Sequence, residues 1–343
     1  TFQTTTSQIV PNSKNGRYII HPFIDNEDSL SHSNIVEFKD AKGISRYFTR
    51  RIDKSVCLSN LCRPISLYIV WDGSGNFQEL KFLGNEPLTK TDHTEFTQEE
   101  YSKLNCILSN KYSILGNLQR EDLILEENRA LLEKGIDAYS GATKPSLYGT
   151  IVRGAVYTCY TLWHTVYGPT HHRILQILDE KANDEYLRNI FNEQDIGYIF
   201  WGINYLERQS KYQNEFYKEV AHYINSKNDE LSQKALDYFS ANRLTELEVQ
   251  KYLVINCNKE KQLDIIWKLS DIENLDSSVV LLLLEKYRNG SIDATELGYV
   301  YKMMTKKHLE NDKINLTLQN LLNDENRYVR NITTENLNKF SKK

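Results

Sequence analysis

The sequence predicts an α+β domain followed by an all-α helical-repeat domain, and three observations carry that reading. All six prolines lie at or before Pro169, and of the fifteen glycines only Gly197, Gly202, Gly290 and Gly298 lie beyond Gly168. Proline and glycine punctuate turns and strand ends, so their loss halfway marks a change of architecture and places the boundary at Gly168-Pro169. The first half holds two runs rich in β-branched and aromatic residues around a glycine turn. The second half repeats one short apolar pattern at a helical-hairpin interval. The expected division is residues 1–168 and 169–343.

Bulk properties agree. A chain of 343 residues exceeds one ordinary domain. With 40% hydrophobic and 26% charged residues its composition is globular. Lys and Arg number 42 against 46 Asp and Glu, a net charge of −4. That disfavours nonspecific nucleic-acid binding and a basic membrane-surface anchor. The most apolar stretch, Ser278 to Leu284, is far too short to span a bilayer. Five cysteines make no disulfide scaffold in so long a chain. Cys57 and Cys62 are near enough in sequence for a small bridge, and two reduced thiols are the equal alternative.

Arg17 to Phe23 and Ile35 to Phe38 read as early strands. Ile65-Ser-Leu-Tyr-Ile-Val-Trp-Asp72, the turn Gly73-Ser-Gly-Asn76 and Phe77 to Leu83 read as a hairpin. Asp72 to Asn76 resembles the start of a calcium loop but lacks the later glutamate, so a turn is expected. Thr97-Gln-Glu-Glu100 is a capping box opening a helix through Leu108. Pro145 to Tyr167 reads as one amphipathic helix, with Pro145 at its first position and Gly168-Pro169 as its stop. Beyond it, short helices are expected from His172 to Ala182, Asp195 to Arg208, Asn214 to Ile224, Glu230 to Ala241, Thr245 to Ile255, Glu260 to Leu269, Ser277 to Arg288, Ala294 to Lys307, Lys313 to Leu322 and Tyr328 to Phe340. Gly202-Ile-Asn-Tyr-Leu206, Ala235-Leu-Asp-Tyr-Phe239, Ile265-Ile-Trp-Lys-Leu269 and Asn336-Leu-Asn-Lys-Phe340 recur on a period of roughly 30–36 residues, which points to stacked helical hairpins, with an irregular helical bundle as the competing reading of so degenerate a pattern. Asn323 to Arg330 resembles the lead-in to the second helix of HEAT-type repeats.

One segment carries chemistry: Asp137-Ala-Tyr-Ser140-Gly141-Ala142-Thr143, followed by Lys144-Pro145. Its small residues let a bulky partner approach the backbone, and Gly141 opens conformations closed to other residues. If a helix starts at Pro145, free backbone N–H groups and the helix dipole favour an anion beside the Thr143 hydroxyl. A plain turn and helix cap is the competing reading of the same residues.

This segment resembles the flavinylation signature Asp-x-x-Ser-Gly-Ala-Thr of FMN-binding domains, found in the flavin-carrying subunits of the sodium-pumping quinone reductase and of Rnf-type complexes. The resemblance covers roughly Ile65 to Gly168. It implies that an ApbE-type, magnesium-dependent flavin transferase moves FMN from FAD onto Thr143, with Asp137, Ser140, Gly141 and Ala142 completing the recognition motif. His93-Thr-Glu95 resembles the family's His-x-Glu segment. Tyr139 and Tyr148 are the aromatics expected beside the flavin, the others on the following helix being core. The family implies an electron-transfer flavoprotein, a redox cofactor carrier rather than a stand-alone enzyme, outside the cytoplasm with its signal segment removed. That setting favours a Cys57–Cys62 disulfide. The helical repeats would dock an unknown redox partner. The rivals are a non-redox binding or scaffold protein that works through the helical repeats, and a reductase with noncovalent FMN. Cys159 with His164 lacks metal-ligand spacing, and His171-His172 is expected as solvated surface.

Overall fold

The computed structural model describes residues 17–26, 28, 33–56, 64–84, 87–90, 93–123, 143–212 and 214–341. The chain falls into two compact units that divide between Asn189 and Ile190.

The first unit is built on a five-stranded antiparallel meander, ordered β1-β2-β3-β4-β5. Its strands are β1 Arg17–His21, β2 Ile35–Lys39, β3 Ser45–Lys54, β4 Ile65–Asp72 and β5 Phe77–Phe82. The β4–β5 hairpin forms as its sequence predicts. The Asp72 carboxylate closes its turn by accepting from the Ser74 N–H, the Ser74 hydroxyl and the Asn76 N–H at 2.8–2.9 Å. The helix α1 Gln98–Ser109 carries the expected capping box between Thr97 and Glu100. After it come α2 Val156–Val166 and α3 Pro169–Lys181.

The pairing of Glu37 with Phe48, Phe48 with Trp71, Ile35 with Arg50, Arg50 with Ile69 and Ile52 with Leu67 puts these side chains on one face of the sheet. All are fully buried, two of them charged. Arg50 bonds Asp25 at 3.1 Å, Asp28 at 2.9 Å and the Thr170 hydroxyl of α3 at 2.8 Å. The Glu37 carboxylate accepts from Ser45 at 2.7 Å, contacts His21 at 2.9 Å and takes the Lys181 ammonium of α3. Burial pushes the Glu37 carboxyl up, and Lys181, Ser45 and His21 together more than offset it, holding it below the usual carboxylate range. The Trp71 indole donates to the Val166 carbonyl at the end of α2, 3.0 Å away. These bonds place α2 and α3 in the first unit, so the chain divides beyond Gly168, inside the helix α4 Asp184–Phe191.

The long helix expected from Pro145 does not form as one piece. Pro145–Leu147 is a single 3₁₀ turn, and α2 starts only at Val156. Gly154 between them has φ +77°, a left-handed conformation that ends a helical run and that glycine adopts without strain. The Val152 N–H is captured by the Cys159 thiol at 3.3 Å instead of continuing a helical ladder.

The second unit is helical: α5 Ile196–Arg208, α6 Tyr217–His222, α7 Asp229–Tyr238, α8 Leu247–Asn256, α9 Gln262–Ser270, α10 Ser277–Arg288, α11 Ala294–Met303, α12 Lys306–Leu309, α13 Asp312–Leu321 and α14 Arg327–Ser341. Asp195, Asn228, Asp276, Asp293 and Asn311 cap helix starts with their side chains, which is why Asn and Asp separate the apolar runs. The helices form hairpins in two layers. In one layer α6 packs on α8, α8 on α10 and α10 on α13. In the other α5 packs on α7, α9 on α11 and α11 on α14. The recurring pattern lies on α5, α7, α9 and α14 of this second layer.

Hydrogen bonds between successive hairpins span 31 to 37 residues. Asn225 donates to the Asn256 carbonyl and accepts from the Asn258 N–H, 31 and 33 residues on. Lys259 reaches the Gly290 carbonyl (31 residues), His308 the Leu275 carbonyl (33), and Asn336 the Tyr301 carbonyl (35). Tyr301 meets Thr333 (32) and Tyr287 meets Asp324 (37). Contacts to the adjacent hairpin are what holds a quasi-one-dimensional array together.

Candidate functional site

Thr143 stands at the start of a described segment, with 5% of its surface exposed. Asp137, Tyr139, Ser140, Gly141 and Ala142 lie outside the described residues, as do Cys57 and Cys62. The next residue, Lys144, donates its N–H to the Leu123 carbonyl at 3.2 Å, fixing the chain beside the 3₁₀ turn Arg120–Leu123. The three-residue turn at Pro145 replaces the expected helix start, so the dipole of a long helix does not act at Thr143.

Tyr148 lies just past that turn, 36% exposed. Its carbonyl accepts from the Lys103 ammonium of α1 at 3.2 Å, and the Arg153 guanidinium lies 5.6 Å from its ring centroid. His93 sits on a neighbouring hairpin in a left-handed conformation, φ +64°, with the Lys90 carbonyl accepting from its N–H. The Lys90 stem packs against Gly154, since a Cβ there would meet it at 3.6 Å. The hairpin of His93 and the loop of Tyr148 and Arg153 are therefore neighbours. Sequence reading missed Lys103 and Arg153, because Arg153 falls in a stretch whose periodicity reads as helix.

The aromatics of α2 do different work. The Tyr160 hydroxyl donates to the Leu118 carbonyl, the Trp163 indole to the Asn110 carbonyl and the Tyr167 hydroxyl to the Leu108 carbonyl, while the His164 ring meets the Leu115 carbonyl. They strap down the segment that follows α1. Gly116 lies beneath Trp163, where a Cβ would come within 2.6 Å of the ring. These residues are structural, as expected for aromatics at helical spacing.

Cys159 is fully buried and burial raises its thiol to about 12. The histidine pair splits: His172 is exposed, whereas His171 is half-buried against the Gly75 turn, and burial, with His172 adjacent, pulls its pKa down to about 4. Surface solvation therefore describes His172 and not His171. Among the described residues no cluster of histidine, cysteine and carboxylate side chains has metal-binding geometry, and no helix is long and apolar enough to cross a membrane.

No protein-family model, curated protein or solved structure matches this chain. Its class is defined by architecture alone: an antiparallel meander with packed helices, joined in one chain to a two-layer array of helical hairpins.

Proposed function

We propose that the protein is an extracytoplasmic electron carrier that holds FMN as a phosphoester on Thr143. The observation that carries this reading is the spelling Asp137-x-x-Ser140-Gly141-Ala142-Thr143. An ApbE-type transferase would join the Thr143 oxygen to the FMN phosphorus of FAD. The pyrophosphate bond breaks, AMP leaves and the hydroxyl proton is released. Bound in this way, the flavin supplies one- or two-electron chemistry. The sequence beside Thr143 suits the ester in kind, since the hydroxyl is followed directly by the cation Lys144. The 5% exposure of Thr143 adds a requirement, since the transferase must meet this hydroxyl turned outward. The helical hairpins, HEAT-like in this reading, would dock the redox partner.

The test is intact-protein mass after coexpression with the transferase. The parent should gain one FMN less water, Thr143→Ser should gain the same and Thr143→Ala nothing. An unmodified parent, in cells where a reference FMN-binding domain is modified, overturns the reading. Flavin held equally by Thr143→Ala and parent would assign the protein to noncovalent flavoproteins. A scaffold role for the array is the second reading. It is favoured by half-exposed Trp267 on α9 lying edge-on to Tyr299 of α11, 6.3 Å between centroids, and it stands if neither protein takes up flavin.

A further inference from the structure

The two edges of the sheet are finished differently. β5 exposes Gln78 and Lys81 and pairs Lys81 with Glu79 at 3.0 Å, the charged finish that keeps edge strands from pairing with other chains. β1 presents Tyr18 at 60%, Ile19 at 39% and Ile20 at 52% exposure, apolar on both of its faces, and Ile24 beyond its end is 60% exposed. Among the described residues, β1 pairs with β2 alone. Arg17 is the exposed cation of this strand, and the His21 ring turns inward to contact Glu37.

We propose that β1 pairs antiparallel with β1 of a second copy, about a two-fold axis through Ile19. This register is self-complementary at the three apolar positions and leaves Arg17 facing His21 of the other copy at each end. Ile19 faces its own copy, Tyr18 faces Ile20 of the other copy on both sides of the axis, and aromatic with β-branched is a favourable cross-strand pair. Any register about another residue sets Arg17 or His21 against the apolar positions. Three half-exposed apolar side chains per copy, Tyr18, Ile19 and Ile20, and the strand backbone cover no more than about 1,000 Å² in total, the lower limit for a specific interface. The dimer is therefore weak and concentration-dependent.

Sedimentation of the full chain should show a monomer–dimer equilibrium in the micromolar range. Ile19→Lys sets two like charges opposite each other and should weaken association at least tenfold. Ile19→Thr keeps a β-branched residue and should retain most of it. Hydrogen exchange of the Arg17–His21 amides should slow as concentration rises. A parent that stays monomeric overturns the proposal, and exchange protection independent of concentration would then mean that the chain's own residues cover β1. An Ile19→Lys variant that dimerises like the parent also overturns it.

Discussion

Gly116→Ala tests the strapping of α1's trailing segment. The added methyl would lie 2.6, 3.1 and 3.4 Å from three atoms of the Trp163 six-membered ring. Carbon contacts are comfortable at roughly 3.5–4.0 Å, so the ring must withdraw by about 1 Å. It has little freedom to do so: its indole donates to Asn110 at 3.0 Å, and the rings of His164 and Tyr167 lie 5.1 and 4.8 Å from it. Overpacking of this kind costs about 1–3 kcal/mol. A strained indole bond adds about 1 kcal/mol. The expected loss is about 2–4 kcal/mol, or about 5–15 °C in melting temperature for a unit of this size. In a Trp163→Phe background the opposing atoms are gone, and the same substitution should cost far less, a coupling of about 1–2 kcal/mol. Urea unfolding followed by hydrogen exchange in peptides spanning 104–118 and 156–167 reads the first unit by itself. Additivity within about 0.5 kcal/mol would show that the ring is not what Gly116 accommodates.

Acid should loosen the first unit through Glu37. Its carboxyl is held below the ordinary 4.5, so its contribution is complete above about pH 4.5 and fades as pH falls through the lower folded value. Glu37→Gln should lower stability by about 1–3 kcal/mol at pH 7, a range reduced from that of a fully buried pair because Lys181 is partly exposed. That gap should close in melts below about pH 4, and a gap constant from pH 3 to 7 would refute the assignment. Burial pushes the Cys159 and Cys257 thiols to about 12, leaving almost no thiolate at pH 8, whereas Cys106 is exposed. Iodoacetamide on the folded protein should label Cys106 and spare both buried thiols, as peptide mapping will show; alkylated Cys159 would contradict the packing of α2.

Where local chemistry decides conformation, the sequence is a good guide. The β4–β5 hairpin, the capping box of α1 and the range of α10 agree with expectation, and most helices of the second unit agree within a few residues at each end. β3 was not legible, because Ser-Arg-Tyr-Phe-Thr-Arg-Arg-Ile-Asp-Lys carries Arg50 at an inward position that only Asp25, Asp28 and Thr170 make tolerable. Pro145 to Tyr167 has helical periodicity throughout, yet a left-handed glycine and a thiol–amide bond interrupt it, and neither shows in a periodicity. The helix expected from Ala294 to Lys307 splits after Met303, where His308 caps a new turn by accepting from the Thr305 N–H at 2.8 Å. Of the candidate site, the motif is plain in the sequence, whereas the burial of Thr143 and the nearness of Lys103 and Arg153 to Tyr148 depend on tertiary packing.

Glu37 and Arg50 determine where this gene can be cut. A fragment ending at Gly168 would keep every strand yet discard Lys181 and Thr170, turning two ions toward a vacated helix site. Arg50 would keep Asp25 and Asp28. Glu37 would lose its nearest cation and keep Ser45 and His21, a loss on the order of a broken buried pair, a few kcal/mol, set against the small margin that holds a domain together. α3 belongs to the sheet as surely as a sixth strand would, and any excised version of the first unit has to carry it.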